Sequence, residues 1–371
     1  MGVGTRAVES LDVSAPLPRA AFWRGRRVLL TGHTGFKGGW TALWLGRLGA
    51  RTTGFALAPD TTPALFDLAS VERDLDSRIG DLRAPEAVRA AVRAADPQIV
   101  LHLAAQPLVR RAIAEPIATL AANAMGTAHL LDALRDCARL ERIVVVTSDK
   151  VYANRESGEA FDEDAPLGGK DPYSASKAAT EVIARAFAET YFKPKGVTLV
   201  TARGGNVIGG GDFAEDRIAP DILRAWQQRR RPMLRMPEAT RPWQHALDCV
   251  AGYLLYAEAV GADVPSALNF GPDPANPVTV AQLTRAMLEA LGEPPDFDVE
   301  AGAGSIEMMK LAVDPRRAQQ TLGWRNRLPS AEAIGWTADW HRRVRLGEAP
   351  RAVTLAQIDA YCALDAPALR G

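Results

Sequence analysis

The sequence has few of the residues that mark secreted, disulfide-linked or zinc-binding proteins. Only three cysteines occur in 371 residues, and Cys137, Cys249 and Cys362 are far apart. This spacing excludes a disulfide framework and the paired ligands of a structural zinc site, and it is typical of a protein in a reducing cytoplasm. We therefore expect a cytoplasmic protein without a metal site.

Excess charge and long apolar runs are also lacking. The formal net charge is zero, from 44 basic and 44 acidic residues, so there is no electrostatic reason to expect nucleic acid or an anionic membrane as a partner. No apolar run approaches the ~20 residues of a membrane-spanning helix. Residues 1–21 contain acidic residues and no apolar segment, which predicts a flexible tail rather than a signal peptide.

Strand and helix patterns alternate along the first two hundred residues. Short apolar runs predict strands at residues 27–31, 51–57, 77–82, 99–104, 142–147 and 197–202. Longer segments between them predict helices at residues 38–48, 84–95, 118–134 and 172–191. This alternation favours an α/β fold, a Rossmann-type doubly wound parallel sheet with both faces covered.

The pattern changes after residue 205, where glycine and proline become frequent and the elements shorten. Clear helices remain at residues 279–291 and 330–346. We expect a Rossmann domain over 22–205, a smaller mixed α/β lobe mainly over 206–350, and a C-terminal tail or helix over 351–371. Since no clear linker separates the halves, they are expected to pack closely.

A glycine-rich turn joins the first strand to the first helix. Gly32, Gly35 and Gly38 have the spacing G-x-x-G-x-x-G, with Thr31 before them. Glycines let the backbone turn sharply and approach a pyrophosphate, and the following helix presents N–H groups to the anion. The alternative is that the glycines only permit a tight turn, but the strand–turn–helix context favours a bound dinucleotide.

The sequence favours NAD over NADP without deciding between them. The second strand ends without an acidic residue to bind the ribose, although Asp60 follows closely. No arginine follows this strand to bind a 2′-phosphate. Asp81, after the third strand, is a candidate neighbour of the adenine, and a helix cap for residues 85–95 is an equally good interpretation.

Tyr173 and Lys177 are four residues apart near the start of a predicted helix, so they share one face. A lysine cation beside a phenol favours the phenolate and lowers its pKa from about 10. Such a base takes a proton from a hydroxyl as hydride leaves the same carbon. The alternative is an ordinary exposed tyrosine and lysine, but the glycine turn upstream favours the catalytic interpretation.

These motifs together resemble the extended short-chain dehydrogenase/reductase family over roughly residues 24–347. The segments that carry the resemblance are TGHTGFKG at 31–38, LAAQ at 103–106, Asn123 with Gly126-Thr127, TSDKVY at 147–152 and YSASK at 173–177. Within the family they resemble the branch of CDP-glucose 4,6-dehydratases, through GHTGFKG at 32–38, SDK at 148–150, residues 203–221 and RPWQH at 241–245. Related dTDP- and GDP-sugar dehydratases carry a glutamate at the position of Lys150.

The resemblance implies NAD as the cofactor and conversion of CDP-glucose to CDP-4-keto-6-deoxyglucose, for deoxysugar and O-antigen synthesis. Tyr173 would deprotonate the sugar O4 as hydride leaves C4, while Lys177 stabilises the phenolate and Ser148 bonds O4. Asp149 would protonate the departing C6 hydroxyl, and Lys150 is the candidate base at C5. In one alternative Lys150 stays charged and stabilises the enolate; in another, Asp149 and Lys150 form only a salt bridge.

The resemblance also implies the binding residues. Those for the cofactor are Gly32, Thr34, Gly35, Phe36, Gly38, Asp81, Leu82, Leu103, Ala104, Ala105, Tyr173 and Lys177. Those for the substrate are Gln106, Asn206, Arg217, Arg241 and His245. Arg241 has the fork that binds phosphate oxygens bidentately. Arg217 and His245 are equally consistent with structural roles, and Trp243 with stacking on cytosine or packing in the core.

Other classes of function stay open at this point. Another nucleotide-sugar 4,6-dehydratase is possible, and a 4-epimerase would use Tyr173 and Lys177 without needing Asp149 and Lys150. A non-catalytic NAD sensor would normally lack the tyrosine or the lysine, and this chain has both. In the family that the chain resembles, the long helices at 118–134 and 172–191 pair between subunits, which implies a homodimer or homotetramer.

Overall fold

The computed structural model describes residues 15–154, 158–259, 264–300 and 309–364. Most of the tail predicted at 1–21 lies outside these residues. From Ala15 onward the chain packs on the rest of the protein, because Ala15 is buried and Arg19 pairs with the buried Glu258 at 2.8 Å. The described part of the predicted tail is therefore anchored.

The strands follow the predicted order with small shifts at their ends. They are β1 Arg27–Thr31, β2 Arg51–Ala56, β3 Leu75–Ile79, β4 Ile99–His102, β5 Arg142–Val146, β6 Thr198–Gly204, β7 Val207–Ile208, β8 Met233–Leu234, β9 Thr240–Arg241, β10 Gln244–His245, β11 Ala267–Phe270, β12 Val278–Thr279 and β13 Asp298–Val299.

The helices cover both faces of the sheet and form much of the second half. They are α1 Ala20–Trp23, α2 Phe36–Arg47, α3 Leu65–Leu68, α4 Pro85–Ala95, α5 Val109–Ala114, α6 Pro116–Leu120, α7 Gly126–Leu134, α8 Pro172–Phe187, α9 Ile218–Gln227, α10 Ala246–Glu258, α11 Val280–Leu291, α12 Arg316–Leu322, α13 Ser330–Arg345 and α14 Pro350–Ala363. None of the described helices is long and apolar enough to cross a membrane.

Seven parallel strands form the central sheet, in the order β3-β2-β1-β4-β5-β6-β11. The predicted Rossmann-type α/β fold is confirmed. The order reverses between β1 and β4, and in open α/β sheets this switch point opens a crevice at the carboxyl ends of the strands.

The apolar strands of this sheet are buried on both faces, which explains why their sequences do not alternate between polar and apolar residues. In β5, Ile143 and Val145 join a core formed with α4, α7 and α8, whereas Val144 and Val146 join the core on the α2 and α10 face. A continuous run of branched apolar residues therefore fits a strand that contributes to two cores.

The two halves of the chain share this architecture more closely than the sequence predicted. Strand β11, from the second half, pairs with β6 and completes the sheet of the first half. Helix α14, within the predicted C-terminal tail or helix, contacts α2 and α3. The boundary predicted at residue 205 does not divide the hydrophobic core, since one core contains residues from both sides of it.

The helix predicted at 118–134 is interrupted by a π turn, Ala121–Met125, between α6 and α7. The carbonyl of Asn123 accepts hydrogen bonds from the hydroxyls of Thr127, at 2.7 Å, and Thr180, at 3.2 Å. Side-chain hydroxyls that bond a helical carbonyl compete with the regular backbone ladder. The turn therefore has a local cause that the apolar pattern does not reveal.

A buried ion pair joins β6 to α8. The Arg203 guanidinium lies 2.8 Å from the Glu181 carboxylate, and both side chains are almost fully buried. The hydroxyls of Thr147 and Thr201 also donate to this carboxylate. The network fixes the helix that carries Tyr173 and Lys177 against the strand ends.

We expect Arg203→Met to lower the free energy of unfolding by about 3–5 kcal/mol, because it leaves the Glu181 charge buried without its partner. The double variant Arg203→Met/Glu181→Leu should recover much of this loss, and exposed Arg342→Gln should change little. Urea unfolding followed by circular dichroism measures all three. Equal losses in the single and double variants would contradict this account.

Candidate active site

A cavity of about 610 Å³ lies at the switch point, along the carboxyl ends of the central strands. The residues that follow β1, β2, β3, β4, β5 and β6 all contribute to its wall. A second, more open depression of about 470 Å³ lies at the amino-terminal edge of β1, β2 and β3 and contains none of the predicted site residues. The chemistry predicted from the sequence therefore converges on the first cavity.

Nearly all predicted site residues line this cavity. The predicted catalytic and cofactor residues among them are Gly32, Thr34, Gly35, Phe36, Gly38, Asp81, Leu82, Leu103, Ala104, Ala105, Ser148, Asp149, Lys150, Tyr173 and Lys177. The predicted substrate residues among them are Gln106, Asn206, Arg217 and Arg241.

His245 is the predicted residue that the structure does not bring to the cavity wall. It is fully buried, and its Nδ1 accepts a hydrogen bond from the N–H of Leu247 at the start of α10. Its ring packs edge-on against Trp40 and Trp336. The resemblance through RPWQH at 241–245 implied a substrate ligand, but this histidine caps a helix and fills the core.

The glycine turn has the geometry that a dinucleotide requires. Gly32 has φ +80°, and a Cβ there would lie 2.7 Å from the backbone N of Ala104. A Cβ on Gly38 would lie 1.9 Å from the carbonyl oxygen of Gly32. At Gly35, by contrast, the nearest atom would be 3.4 Å away. The outer glycines permit the turn and the helix packing, while the middle one leaves the cavity open above the backbone.

The start of α2 is suited to hold a pyrophosphate. Gly35 is the N-cap of this twelve-residue helix, and no side chain caps its first turn. The N–H groups and the positive end of the helix dipole therefore face the cavity without a competing carboxylate. The described residues fit a dinucleotide at this place.

The far end of the cavity carries two acidic residues, both already paired. Asp81 accepts hydrogen bonds from the backbone and guanidinium of Arg83, which lower the pKa of its carboxyl group. Asp60 lies 3.1 Å from Arg111. The cap interpretation of Asp81 is wrong, because Ala84 is the N-cap of α4 and no side chain caps this helix. Asp81 instead borders the cavity and holds the turn before α4 through the backbone N–H of Arg83.

Ser148, Asp149 and Lys150 form a short turn directly after β5. The Ser148 hydroxyl donates to Asp149 Oδ1 at 2.9 Å and accepts from the backbone N–H of Lys150 at 3.2 Å. Asp149 is buried, and its Oδ2 has no hydrogen-bond partner in the described part of the chain. Burial raises the pKa of Asp149, and this outweighs the opposing charge of Lys150.

Tyr173 and Lys177 lie on one face of α8, as predicted. Asp171 caps this helix by accepting from the N–H and hydroxyl of Ser174. Burial raises the pKa of Tyr173 to about 12, against a hydrogen bond with Ser148 that lowers it. Burial, followed by repulsion from Lys37, lowers the pKa of Lys177 to about 7. The Lys177 ammonium donates to the carbonyl of Val146 at 3.2 Å.

These shifts differ from the expectation that Lys177 alone would favour the phenolate. Desolvation disfavours the charged states of both side chains, so burial favours the neutral phenol. A further positive charge or a hydrogen-bond donor beside Tyr173 is therefore needed to make it a base.

The loop after β4 is held against α8 through Asn123. Its side chain accepts from the N–H of Gln106 at 2.7 Å and donates to Ser176 at 2.8 Å. The Gln106 amide in turn donates to Leu108 and Thr119. Gln106 borders the cavity, but its side chain already stabilises the loop.

The predicted substrate arginines come from the second half. The Arg217 guanidinium lies 3.1 Å from the buried Asp212, and buried Arg241 donates to the carbonyl of Thr240 at 2.8 Å. Trp243 also lines the cavity, although its indole N–H donates to the carbonyl of Val278. Within the described ranges, no group of three or more potential metal ligands was found.

Comparison with known proteins identifies the family. A family model described as GDP-mannose 4,6 dehydratase matches residues 29–267. The chain is 40% identical over 335 residues to the CDP-glucose 4,6-dehydratase of Salmonella typhimurium. The aligned region covers 88% of this chain and 93% of the relative. The chain belongs to the GDP-mannose 4,6-dehydratase family. The resemblance to the extended short-chain dehydrogenases/reductases is thereby confirmed.

Solved structures support the same placement. The UDP-glucose 4-epimerase of Thermus thermophilus, in complex with NAD, superposes with a TM-score of 0.74 and 25% identity, covering 85% of this chain and 99% of that one. MoeE5, in complex with UDP-glucuronic acid and NAD, gives a TM-score of 0.73 and 25% identity, with the same coverage.

In this member of the GDP-mannose 4,6-dehydratase family, the sequence interpretation missed several charged residues that line the cavity, among them Lys37, Arg110, Asp216 and Arg235. The pKa of Lys37 is lowered by burial, and its ammonium lies 3.4 Å from the hydroxyl of Tyr253. One signal was available, because a lysine in the first turn of a helix opposes the dipole. Arg110 and Arg235 lie in a short helix and a loop outside the quoted motifs, whereas Asp216 lies within the segment 203–221 but was not singled out there.

The lowered pKa of Lys177 predicts that the free energy of unfolding depends on pH and is lower near pH 7 than near pH 10. The unfolded chain binds a proton at Lys177 up to about pH 10, whereas the folded chain loses it near pH 7. Stability should therefore increase as the pH rises through this window. Relative to Lys177→Met, we expect the free energy of unfolding of the native chain to rise by about 2–4 kcal/mol between pH 7 and pH 10.

Chemical denaturation at several pH values tests this, with the exposed lysine variant Lys193→Met as the control. The Lys193 variant should follow the pH dependence of the native chain. A difference between native protein and Lys177→Met that stays constant with pH would contradict a desolvated lysine.

Proposed function

We propose that the protein is an NAD-dependent CDP-glucose 4,6-dehydratase that converts CDP-glucose to CDP-4-keto-6-deoxyglucose. The 40% identity to the Salmonella typhimurium enzyme over most of both chains supports the substrate. The convergence of the glycine turn, the Ser148–Lys150 turn and the Tyr173–Lys177 pair in one cavity supports the chemistry. The three cysteines of the chain, all unpaired, are consistent with a reducing cytoplasm, which we propose as its location.

The dinucleotide would lie along the cavity with its pyrophosphate at Gly35 and the start of α2. When bound, NAD accepts a hydride from C4 and later returns one to C6. Lys177 would then orient the ribose next to the ring, and Ser148, whose hydroxyl carries a single proton, would turn from Asp149 to donate to the substrate O4. Tyr173 accepts the O4 proton, which its raised pKa permits only once a cationic neighbour stabilises the phenolate.

The buried Asp149 carboxyl is the single observation that favours a dehydratase over a 4-epimerase. An epimerase oxidises and reduces C4 and has no hydroxyl to expel. Loss of the C6 hydroxyl requires an acid, and Asp149 combines burial, a raised pKa and an oxygen without a described partner. Such a carboxyl group holds a proton above the pH at which an exposed aspartate loses it.

We assign Lys150 as the base that removes the C5 proton. It follows Asp149 directly, lines the same cavity and is half-buried. Oxidation at C4 acidifies the C5 hydrogen, so a base on one side and the Asp149 acid on the other complete the elimination. Closing the cavity around these groups excludes water from the ketone and alkene intermediates.

The two halves would divide the binding task. We propose that residues 22–205 hold the dinucleotide and the catalytic groups, and that the lobe from 206 onward holds the nucleotide sugar through Asn206, Arg217 and Arg241. The cavity supports this division, because its wall includes residues from both halves. His245 is left out of this set, since it lies in the core.

The reaction in heavy water tests the proposed function. The substrate is CDP-glucose with an isotopic label on the hydrogen bound to C4. We expect a 4-keto-6-deoxy product with solvent deuterium at C5 and the labelled hydrogen at C6, as read by nuclear magnetic resonance. Asp149→Asn should lower the rate of water loss by ~10²–10⁴-fold, since it removes the acid, while C4 oxidation continues.

The surface variant Asp339→Asn serves as a control and should keep the native rate. A product inverted at C4, with its C6 hydroxyl intact and no deuterium at C5, would contradict the proposal and indicate an epimerase. Conversion of dTDP- or GDP-glucose with no turnover of CDP-glucose would contradict the proposed nucleotide.

We also propose a homodimer formed through the helices beside the active site. Ile117 on α6 is 75% exposed and Val182 on α8 is 60% exposed, and Ile113 and Met125 are further exposed apolar residues on this side. Helices α5, α6 and α8 and the π turn that holds Met125 are neighbours, so these exposed side chains lie on adjacent elements. Exposed apolar groups clustered on one face are typical of subunit interfaces.

We expect Val182→Lys to shift the protein from dimer to monomer in sedimentation velocity, because it places a charge in the apolar interface. Leu346→Lys, at an even more exposed apolar position after α13, should leave the dimer intact. A native chain that sediments as a monomer, or a Val182→Lys variant that stays dimeric, would contradict this interface.

A further inference from the structure

Two arginines from opposite halves of the chain converge on one carboxylate at the cavity wall. Arg110 belongs to α5 of the first half, and Arg235 follows β8 in the second. Both guanidinium groups lie 3.6 Å from the same atom, Asp216 Oδ1. All three residues line the cavity, so the ion pairs bridge the two halves there.

The ion pairs are weak by their geometry. A nitrogen–oxygen distance of 3.6 Å exceeds the upper limit of about 3.2 Å for an N–H···O hydrogen bond. The side chains of Arg110, Asp216 and Arg235 are 54%, 40% and 31% exposed, so water screens their attraction. Pairs of this kind contribute about 0–1 kcal/mol and are readily exchanged.

Two other arginines of this wall, Arg217 and Arg241, are bound differently. Arg217 lies 3.1 Å from the buried Asp212, and Arg241 is itself buried and donates to a backbone carbonyl at 2.8 Å. These groups are held in place by the fold. Arg110 and Arg235 are instead held through long contacts with a carboxylate on a loop, which is the arrangement expected of groups that change partner.

A diphosphate is a stronger partner for two guanidinium groups than one carboxylate. It presents several oxygens with about two negative charges, and arginine binds such oxygens through short, paired, charge-assisted hydrogen bonds. The exchange therefore replaces two long contacts with several short ones. Since the two arginines come from both halves, the bound anion would also draw the halves together.

We propose that Arg110 and Arg235 bind the diphosphate of the nucleotide sugar, and that Asp216 occupies their anion-binding position until the substrate displaces it. This inference rests on the proposed function. It adds a phosphate-binding site at which the Asp216 carboxylate competes with the diphosphate of the substrate. Asp216 thereby weakens substrate binding, and by returning to the arginines it also favours dissociation of the product, which carries the same diphosphate.

The proposal makes opposite predictions for the arginines and the aspartate. In calorimetric titration of CDP into the full-length chain saturated with NAD, Arg110→Gln and Arg235→Gln should each raise the dissociation constant ~10-fold, since each removes charged hydrogen bonds. Asp216→Asn should lower it ~3-fold or more, because the competing carboxylate is gone. The dissociation constant for cytidine, which has no phosphate, should be unchanged in all three variants.

Arg342→Gln, which removes an exposed arginine paired with Asp339 outside the cavity, is the matched control and should bind CDP as the native chain does. Melting temperatures check that the variants fold. An unchanged CDP affinity in Arg110→Gln or Arg235→Gln, or an unchanged or weaker affinity in Asp216→Asn, overturns the proposal.

Titration of UDP, dTDP and GDP into the native chain separates this proposal from the proposed function. If one of these binds more tightly than CDP, the assigned nucleotide is wrong, and the variants are then compared with the preferred diphosphate. The arginine and aspartate substitutions should change the dissociation constant of that diphosphate by the same factors, because the substituted side chains contact the phosphates and not the base.

Discussion

The removal of water from the carboxyl edge of the sheet is the constraint on which the active site depends. It raises the pKa of Asp149 and Tyr173 and lowers that of Lys177, so each group is driven toward its neutral form. An acid that keeps its proton is useful for expelling a hydroxyl, whereas a phenol that keeps its proton is a poor base. Burial therefore favours Asp149 as an acid, whereas Tyr173 needs a stabilising neighbour to act as a base.

The scaffold that maintains this dry edge is drawn from the whole chain. Glu181 holds α8 to the ends of β5 and β6 through two hydroxyls and Arg203. Asn123, in a π turn, ties the loop after β4 to the same helix. Catalytic residues on separate elements keep a fixed geometry because these buried polar groups have partners that only one packing arrangement satisfies.

Most of the fold and site residues in the first half of the chain could be predicted from the sequence, but few of those in the second half. The glycine spacing and the Tyr173–Lys177 pair are local patterns whose geometry follows from a turn and a helix, so they could be located without a structure. Strand β11 is four residues long and takes its place from pairing with β6, and His245 takes its role from two tryptophans distant in the chain. These packing partners lie far away in the sequence, so the residues next to β11 and His245 do not reveal them. The direction of the Tyr173 pKa shift depends on burial, which the spacing of two residues does not reveal.

Strand β11 lies far along the chain from β6, its partner in the sheet, and this has a consequence for folding during synthesis. During synthesis β6 is complete roughly sixty residues before its neighbour emerges, and until then it ends the sheet with unpaired backbone N–H and C=O groups. Such an edge recruits strands from other chains. A fragment cut at the apparent domain boundary would keep this edge permanently, so the dinucleotide-binding half should aggregate when expressed alone, and the remainder of the chain acts as its cover.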